Sequence, residues 1–201
     1  MPKKGNTKSD YAKIPAFNSE EILLVAGLGN PDPEFAATYH NIGVRALEAL
    51  LTPPEEKGWR TKNDFRYVKT GSSVFVVPRT YMNESGTAIR HALTYFKIPT
   101  KSLLVLHDDT DLSVGTMKIG FGRGSAGHHG IESIIKMLRT NAFWRARIGI
   151  RGSDRKEKAR AFVLKRMRRV DEAAFEKVFQ ELRARLKRHS EKAGAISHGV
   201  N

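Results

Sequence analysis

Apolar positions recur along this chain in two periods, and their alternation predicts the fold. Ile22 to Ala26 is a continuous apolar run closed by Gly27, the pattern of a strand buried on both faces of a parallel or mixed sheet, expected at its centre. From Glu34 to Leu51, Phe35, Tyr39, Ile42, Ala46 and Leu50 fall at helical spacing, and Pro53-Pro54 stops the segment. This predicts a helix, with a start near His40 as the alternative. Phe65 to Lys69 and Val74 to Val77, separated by Gly71-Ser72-Ser73, read as a hairpin. Ser85 can cap a helix whose buried face is Ile89, Ala92, Leu93 and Phe96 and which ends before Pro99. Leu103 to Leu106 repeats the buried-strand pattern. Thr116 to Phe121 is a strand, Gly122 to Gly127 a loop, Ile131 to Leu138 a helix and Trp144 to Ile150 a strand. Phe175, Val178, Phe179, Leu182 and Leu186 stripe a last helix with Arg and Lys opposite. The expectation is α/β: a single three-layer domain with a mixed twisted sheet flanked by helices.

Composition sets the boundaries of that domain. Residues 1–20 mix Lys, Asn, Ser and Pro without periodicity and read as a flexible arm; 21–190 form the domain, and 191–201 a flexible tail. Charge is uneven. Residues 151–201 carry 15 Lys and Arg against 7 Asp and Glu, a net of +8 of the chain's +14, so a polyanionic partner is expected and 151–169 is its natural contact. Zero cysteines exclude a disulfide framework, a thiolate nucleophile and a Cys-ligated zinc or iron–sulfur site. No apolar run approaches the roughly 20 residues of a membrane helix. A cytoplasmic protein is expected, with a mitochondrion or other organelle as the alternative.

Four polar stretches end or follow predicted strands: Gly29-Asn30-Pro31, Pro78 to Asn83, His107-Asp108-Asp109-Thr110-Asp111, and Gly122 to Gly130. Open α/β sheets bind ligands at the carboxyl ends of their strands, so these four are expected to share a crevice. The acidic cluster could hold a divalent cation, but no HExxH or paired-His spacing supports a metal centre. Gly122-x-Gly124-x-x-Gly127 matches a dinucleotide fingerprint only formally, because Trp144, Arg145 and Arg147 stand where its acidic residue belongs. It reads instead as a loop whose amides and Arg123 face an anion, or as an ordinary turn. A histidine such as His40 is by itself more often a cap or a surface residue. Beside Asp108, which can orient an imidazole, and Asn30 and Asn83, which can hold a carbonyl, it reads as a general base. Without a Cys or a G-x-S-x-G elbow, the chemistry is hydrolysis by activated water. Lys156, Lys158 and the arginines after them are either a solvated face or phosphate contacts that position an RNA or DNA backbone.

Gly27-Leu28-Gly29-Asn30-Pro31 with Tyr39-His40-Asn41-x-Gly43, Pro78-x-Thr80-Tyr81-Met82-Asn83-x-Ser85-Gly86, His107-Asp108-Asp109-x-Asp111-Leu112, and Arg147-Ile148-Gly149-Ile150 together resemble the bacterial-type peptidyl-tRNA hydrolases, in order from about Ile22 to about Leu164. The resemblance implies cleavage of the ester between peptide and tRNA without metal or cofactor, by a monomer that binds the acceptor stem and 3′ end. It implies His40 and Asp108 as the catalytic pair and Asn30, Tyr39, Met82, Asn83, His128 and His129 as substrate contacts. Arg147 and Lys156, with Arg123 and Lys158, would hold tRNA, and 151–169 would be a basic lid. The chain departs from the family pattern at His129, where the family has Asn, at Tyr39 (Arg), at Asp109 (Glu), and at Gly120, a clamp position for which Arg123 would compensate. Such departures resemble a eukaryotic or organellar branch. An alternative is a relative that kept the RNA groove and lost turnover, an RNA-binding or splicing cofactor.

Overall fold

The computed structural model describes residues 15–152 and 159–186. Seven strands, β1 (Leu24–Gly27), β2 (Arg60–Lys62), β3 (Phe65–Thr70), β4 (Ser73–Pro78), β5 (Leu103–Ser113), β6 (Met117–Phe121) and β7 (Trp144–Arg151), form one sheet in the order β2-β3-β4-β1-β5-β7-β6. β1 is central and parallel to β4 and β5, and β5 is parallel to β7, whereas the outer pairs are antiparallel.

Alternation along β1 and β5 divides the core into two layers. Val25, Leu104 and Leu106 face α1 (Ile42–Glu48) and α6 (Arg169–Leu186), which contribute Ile42, Ala46 and Leu47, and Phe175, Val178, Phe179 and Leu182. Leu24, Ala26 and Val105 face α3 (Ser85–Phe96) and α4 (His129–Leu138) through Ile89, Ala92, Leu93, Ile131 and Ile134. Each Val, Leu, Ile or Phe among them, fully buried, stabilises the fold by about 1.5–3 kcal/mol before the entropy of ordering is subtracted. The single three-layer α/β domain is as expected. Among the described residues no helix is long and apolar enough to cross a membrane.

The departures from expectation have local causes. The helix predicted over 34–51 is two 3-10 turns, Pro33–Phe35 and Tyr39–Asn41, followed by α1. Tertiary bonds take the amides a continuous helix would use: Tyr39 N donates to Lys165 O (3.1 Å) and His40 N to Val163 O (2.8 Å), beside an antiparallel bridge between Thr38 and Arg166. Pro53-Pro54, expected to stop a helix, opens the short α2 (Pro53–Glu56), where the missing amides of the first turn are no loss. Ser85 is not a cap. It is the first residue of α3, with its buried hydroxyl donating to Met82 O at 2.8 Å. β2 is short, exposed and polar, and carries no periodic signal.

Residues 1–14 of the expected arm, and all of the expected tail 191–201, lie outside the described residues. The arm does not extend to residue 20: Phe17 packs edge-on against Trp144, with ring centres 5.1 Å apart, and Ser19–Glu21 form a 3-10 turn. Gly43 sets the position of α1, since a Cβ there would lie 2.3 Å from Leu106 O. Only glycine lets the helix rest on the backbone of β5, and this close approach carries residues 40 and 41 to where the pairing of β1 with β5 ends.

Candidate active site

The carboxyl ends of β1 and β4, the part of β5 just past its pairing with β1, and the loop leading into α4 converge on a cavity of about 610 Å³, so the four polar stretches do meet. Asn30, His40, Met82, Asn83, Asp108, His128 and His129 line it together with His107, and Val163 and Leu164 close one side.

Asn30 is fixed by Asn41, a residue of the His40 motif to which the sequence assigned no role. Asn41 Oδ1 accepts from Asn30 N and Asn41 Nδ2 donates to Asn30 O, both at 2.9 Å. The Asn30 side-chain oxygen accepts from Met82 N at 2.8 Å, which leaves its amide nitrogen as the free donor.

His40 Nδ1 lies 2.8 Å from Asp108 Oδ1, and the same oxygen lies 2.9 Å from His128 Nε2. Asp108 is 2 % exposed and sits inside β5, which continues past Leu106 because His107, Asp108 and Asp109 keep pairing with β7. Burial opposes ionisation of this carboxyl, but His128 and His40 together outweigh it and hold the group well below the usual carboxylate range. His107 Nδ1 donates to Asp108 O at 2.7 Å, and burial holds its imidazole well below its usual basicity. His40, Asp108 and His128 have their donor atoms within 4.8 Å of one another, a set that could suit a metal ion, yet the short separations make the same atoms one another's hydrogen-bond partners.

Two expected substrate contacts stand differently. Tyr39 does not line the cavity. It is 1 % exposed, stacks on Phe162 and donates its hydroxyl to Asp171 in the first turn of α6. Successive residues of a 3-10 turn point about 120° apart, so the neighbour of a site histidine faces the core. His129 lines the mouth of the cavity, exposed, with Nδ1 3.1 Å from Glu132 Oε2.

Three guanidinium groups gather beside the Gly-rich loop. Arg147 Nε donates to Asp109 Oδ2 at 2.5 Å, and the exposed Arg123 runs across Gly120, its Nε 3.3 Å from where a Cβ would stand there. Arg145, which sequence reading passed over, is 2 % exposed and holds the loop through Nη1 to Gly124 O at 2.7 Å. Burial first, then Arg147 and Arg123, lower its guanidinium to about 10. Lys156 and Lys158, expected to contact tRNA, lie outside the described residues.

Comparison with known proteins finds one family across most of the chain. The family described as peptidyl-tRNA hydrolase matches residues 24–198. The chain is 40 % identical over 133 residues to a peptidyl-tRNA hydrolase of Sorangium cellulosum, covering 64 % of this chain and 60 % of that protein. It is 35 % identical over 157 residues to one of Granulibacter bethesdensis, covering 75 % and 80 % respectively. The crystal structure of peptidyl-tRNA hydrolase from Acinetobacter baumannii superposes with a TM-score of 0.75 at 26 % identity, over 90 % of this chain and 94 % of that one.

Proposed function

The chain belongs to the peptidyl-tRNA hydrolase family, and from that membership we propose how its own residues divide the hydrolysis of peptidyl-tRNA. The bond cleaved is the ester between the peptide and the tRNA. Nδ1 of His40 is committed to Asp108, so Nε2 is the nitrogen that takes a proton from water as the oxygen adds to the ester carbonyl. The tetrahedral intermediate then expels the ribose oxygen, to which protonated His40 returns the proton, giving free tRNA and a peptide acid. Asp108 orients the ring and stabilises its charged form, and stays ionised throughout.

An ester's developing oxyanion needs only a few neutral donors. The free amide of Asn30 and the side chain of Asn83 fill this role, and Met82 walls the peptide's channel. Arg123 and Arg147 contact phosphate of the acceptor stem, Lys156 and Lys158 are further phosphate contacts, and Arg145 fixes the Gly-rich loop. One copy of the chain carries the whole site, so a monomer suffices.

The observation that carries this reading is the 2.8 Å contact between His40 and a buried, ionised Asp108 at the wall of a cavity where two asparagines also meet. The rival reading, a relative that only binds RNA, rested on His129. That residue stands at the mouth, paired with Glu132, and leaves the His40–Asp108 pair intact, so nothing supports the rival. The test is release of tRNA from N-blocked aminoacyl-tRNA in the presence of chelator. Wild type releases it and His40→Ala does not; tight tRNA binding without release by wild type overturns the assignment.

A further inference from the structure

We propose that His128 is a positioning residue locked in one neutral tautomer, which joins the N-terminus of α4 to the Asp108 carboxylate and limits how strongly that carboxylate supports protonated His40. A neutral imidazole has one N–H and one lone pair. His128 Nδ1 lies 3.1 Å from Gly130 N and 3.3 Å from Ile131 N. Both are donors, so Nδ1 must be the lone pair. The single proton therefore sits on Nε2, 2.9 Å from Asp108 Oδ1. A second proton would turn Nδ1 against two amides at the positive end of a ten-residue helix.

Asp108 Oδ1 thus accepts two N–H groups, from His40 and from His128, and its negative charge is shared between them. Among the described residues no other charged or titratable side chain of the surrounding elements hydrogen-bonds this oxygen. From β5, His107 is bonded to the Asp108 main chain and meets the His128 ring edge-on at 4.7 Å, and Asp109 is paired with Arg147. From α4, His129 and Glu132 pair with each other. From β7, Arg145 gives Nη1 to Gly124 O, while its buried Nε and Nη2 have no partner among the described residues. From the turn before α1, Tyr39 points away to Asp171. The consequence, which rests on His40 being the base, is that the negative charge of Asp108 is divided between two rings instead of being given wholly to His40.

Two substitutions separate the roles of the ring. In His128→Asn the side-chain oxygen falls near the position of Nδ1, keeping the helix cap and losing the donor to Asp108. In His128→Gln the amide nitrogen reaches toward the position of Nε2, keeping the donor and losing the cap. On ¹⁵N-labelled full-length protein, nitrogen shifts should show wild-type His128 protonated on Nε2 alone. In His128→Asn the titration midpoint of the His40 ring should rise by about one pH unit, a tenfold gain in proton binding, with the acid limb of kcat/KM moving equally. His128→Gln should leave the midpoint within about 0.2 units of wild type and lower Tm by a few degrees. A proton on Nδ1 of His128, an unmoved midpoint in His128→Asn, or an equal rise in both variants overturns the proposal. Failure of the hydrolase reading would show separately, as no tRNA release by wild type, while the ring titrations remain readable.

Discussion

Asp108→Asn isolates charge from geometry at the centre of the site. Two N–H groups face Oδ1, so the amide oxygen of the variant stays where the carboxylate oxygen was and both hydrogen bonds are kept. What is lost is the charge that stabilises protonated His40 as water is deprotonated. With His40 Nδ1 and Asp108 Oδ1 2.8 Å apart, the charge centres are separated by somewhat more. At about 4 Å and an effective dielectric near 20, the interaction is worth about 4 kcal/mol. If most of it is realised only in the transition state, kcat should fall by about a thousandfold. KM should stay near wild type, because Asp108 is almost wholly buried behind His40 and His128. The assay is initial-rate tRNA release from N-blocked aminoacyl-tRNA across substrate concentrations with chelator, beside a thermal melt to show that the variant is folded. A fall in kcat of less than about tenfold, or a loss confined to KM, would refute the role given to the carboxylate.

Two further outcomes follow from other parts of the structure. Tyr39→Phe removes the hydroxyl between Asp171 and the Arg168 amide, and should lower the unfolding free energy by about 1–3 kcal/mol in urea while leaving KM unchanged; a raised KM with unaltered stability would return Tyr39 to the substrate. The Asp108 carboxyl is held below its unfolded value, so its contribution to stability is complete above about pH 4 and is lost as pH falls through the folded value. The stability difference between wild type and Asp108→Asn should therefore narrow between about pH 5 and pH 2, and a difference independent of pH would contradict the depressed value.

The elements that position the site were legible because they are apolar and periodic. β1, the first four residues of β5, α3 and α4 each announce themselves in this way, and their order brings His40 and Asp108 together just past the paired segments of β1 and β5. The remainder of β5 was hidden because a strand that carries chemistry is polar where it does so, and its continuation depends on pairing with β7 rather than on its own residues. Tyr39 was misplaced through adjacency to His40, although in a 3-10 turn adjacent side chains diverge. The engagement of His128 could not be read at all, since histidine is outside the residues that commonly cap helices and its partner is twenty positions away. Arg145 was within reach: in a strand reading Trp-Arg-Ala-Arg, the two arginines share a face, and one of them is covered by the loop.

The backbone of His40 is tied to the strip of chain at 163–167, where Val163, Lys165 and Met167 exchange main-chain bonds with His40, Tyr39 and Ala37. The motif around His40 and that strip consequently form one inheritable part, though most of the sequence lies between them. A truncation ahead of residue 159 would leave every letter of the N-terminal motif in place and yet unmoor the residue it exists to present. Recombination or circular permutation that separates the two carries the same penalty.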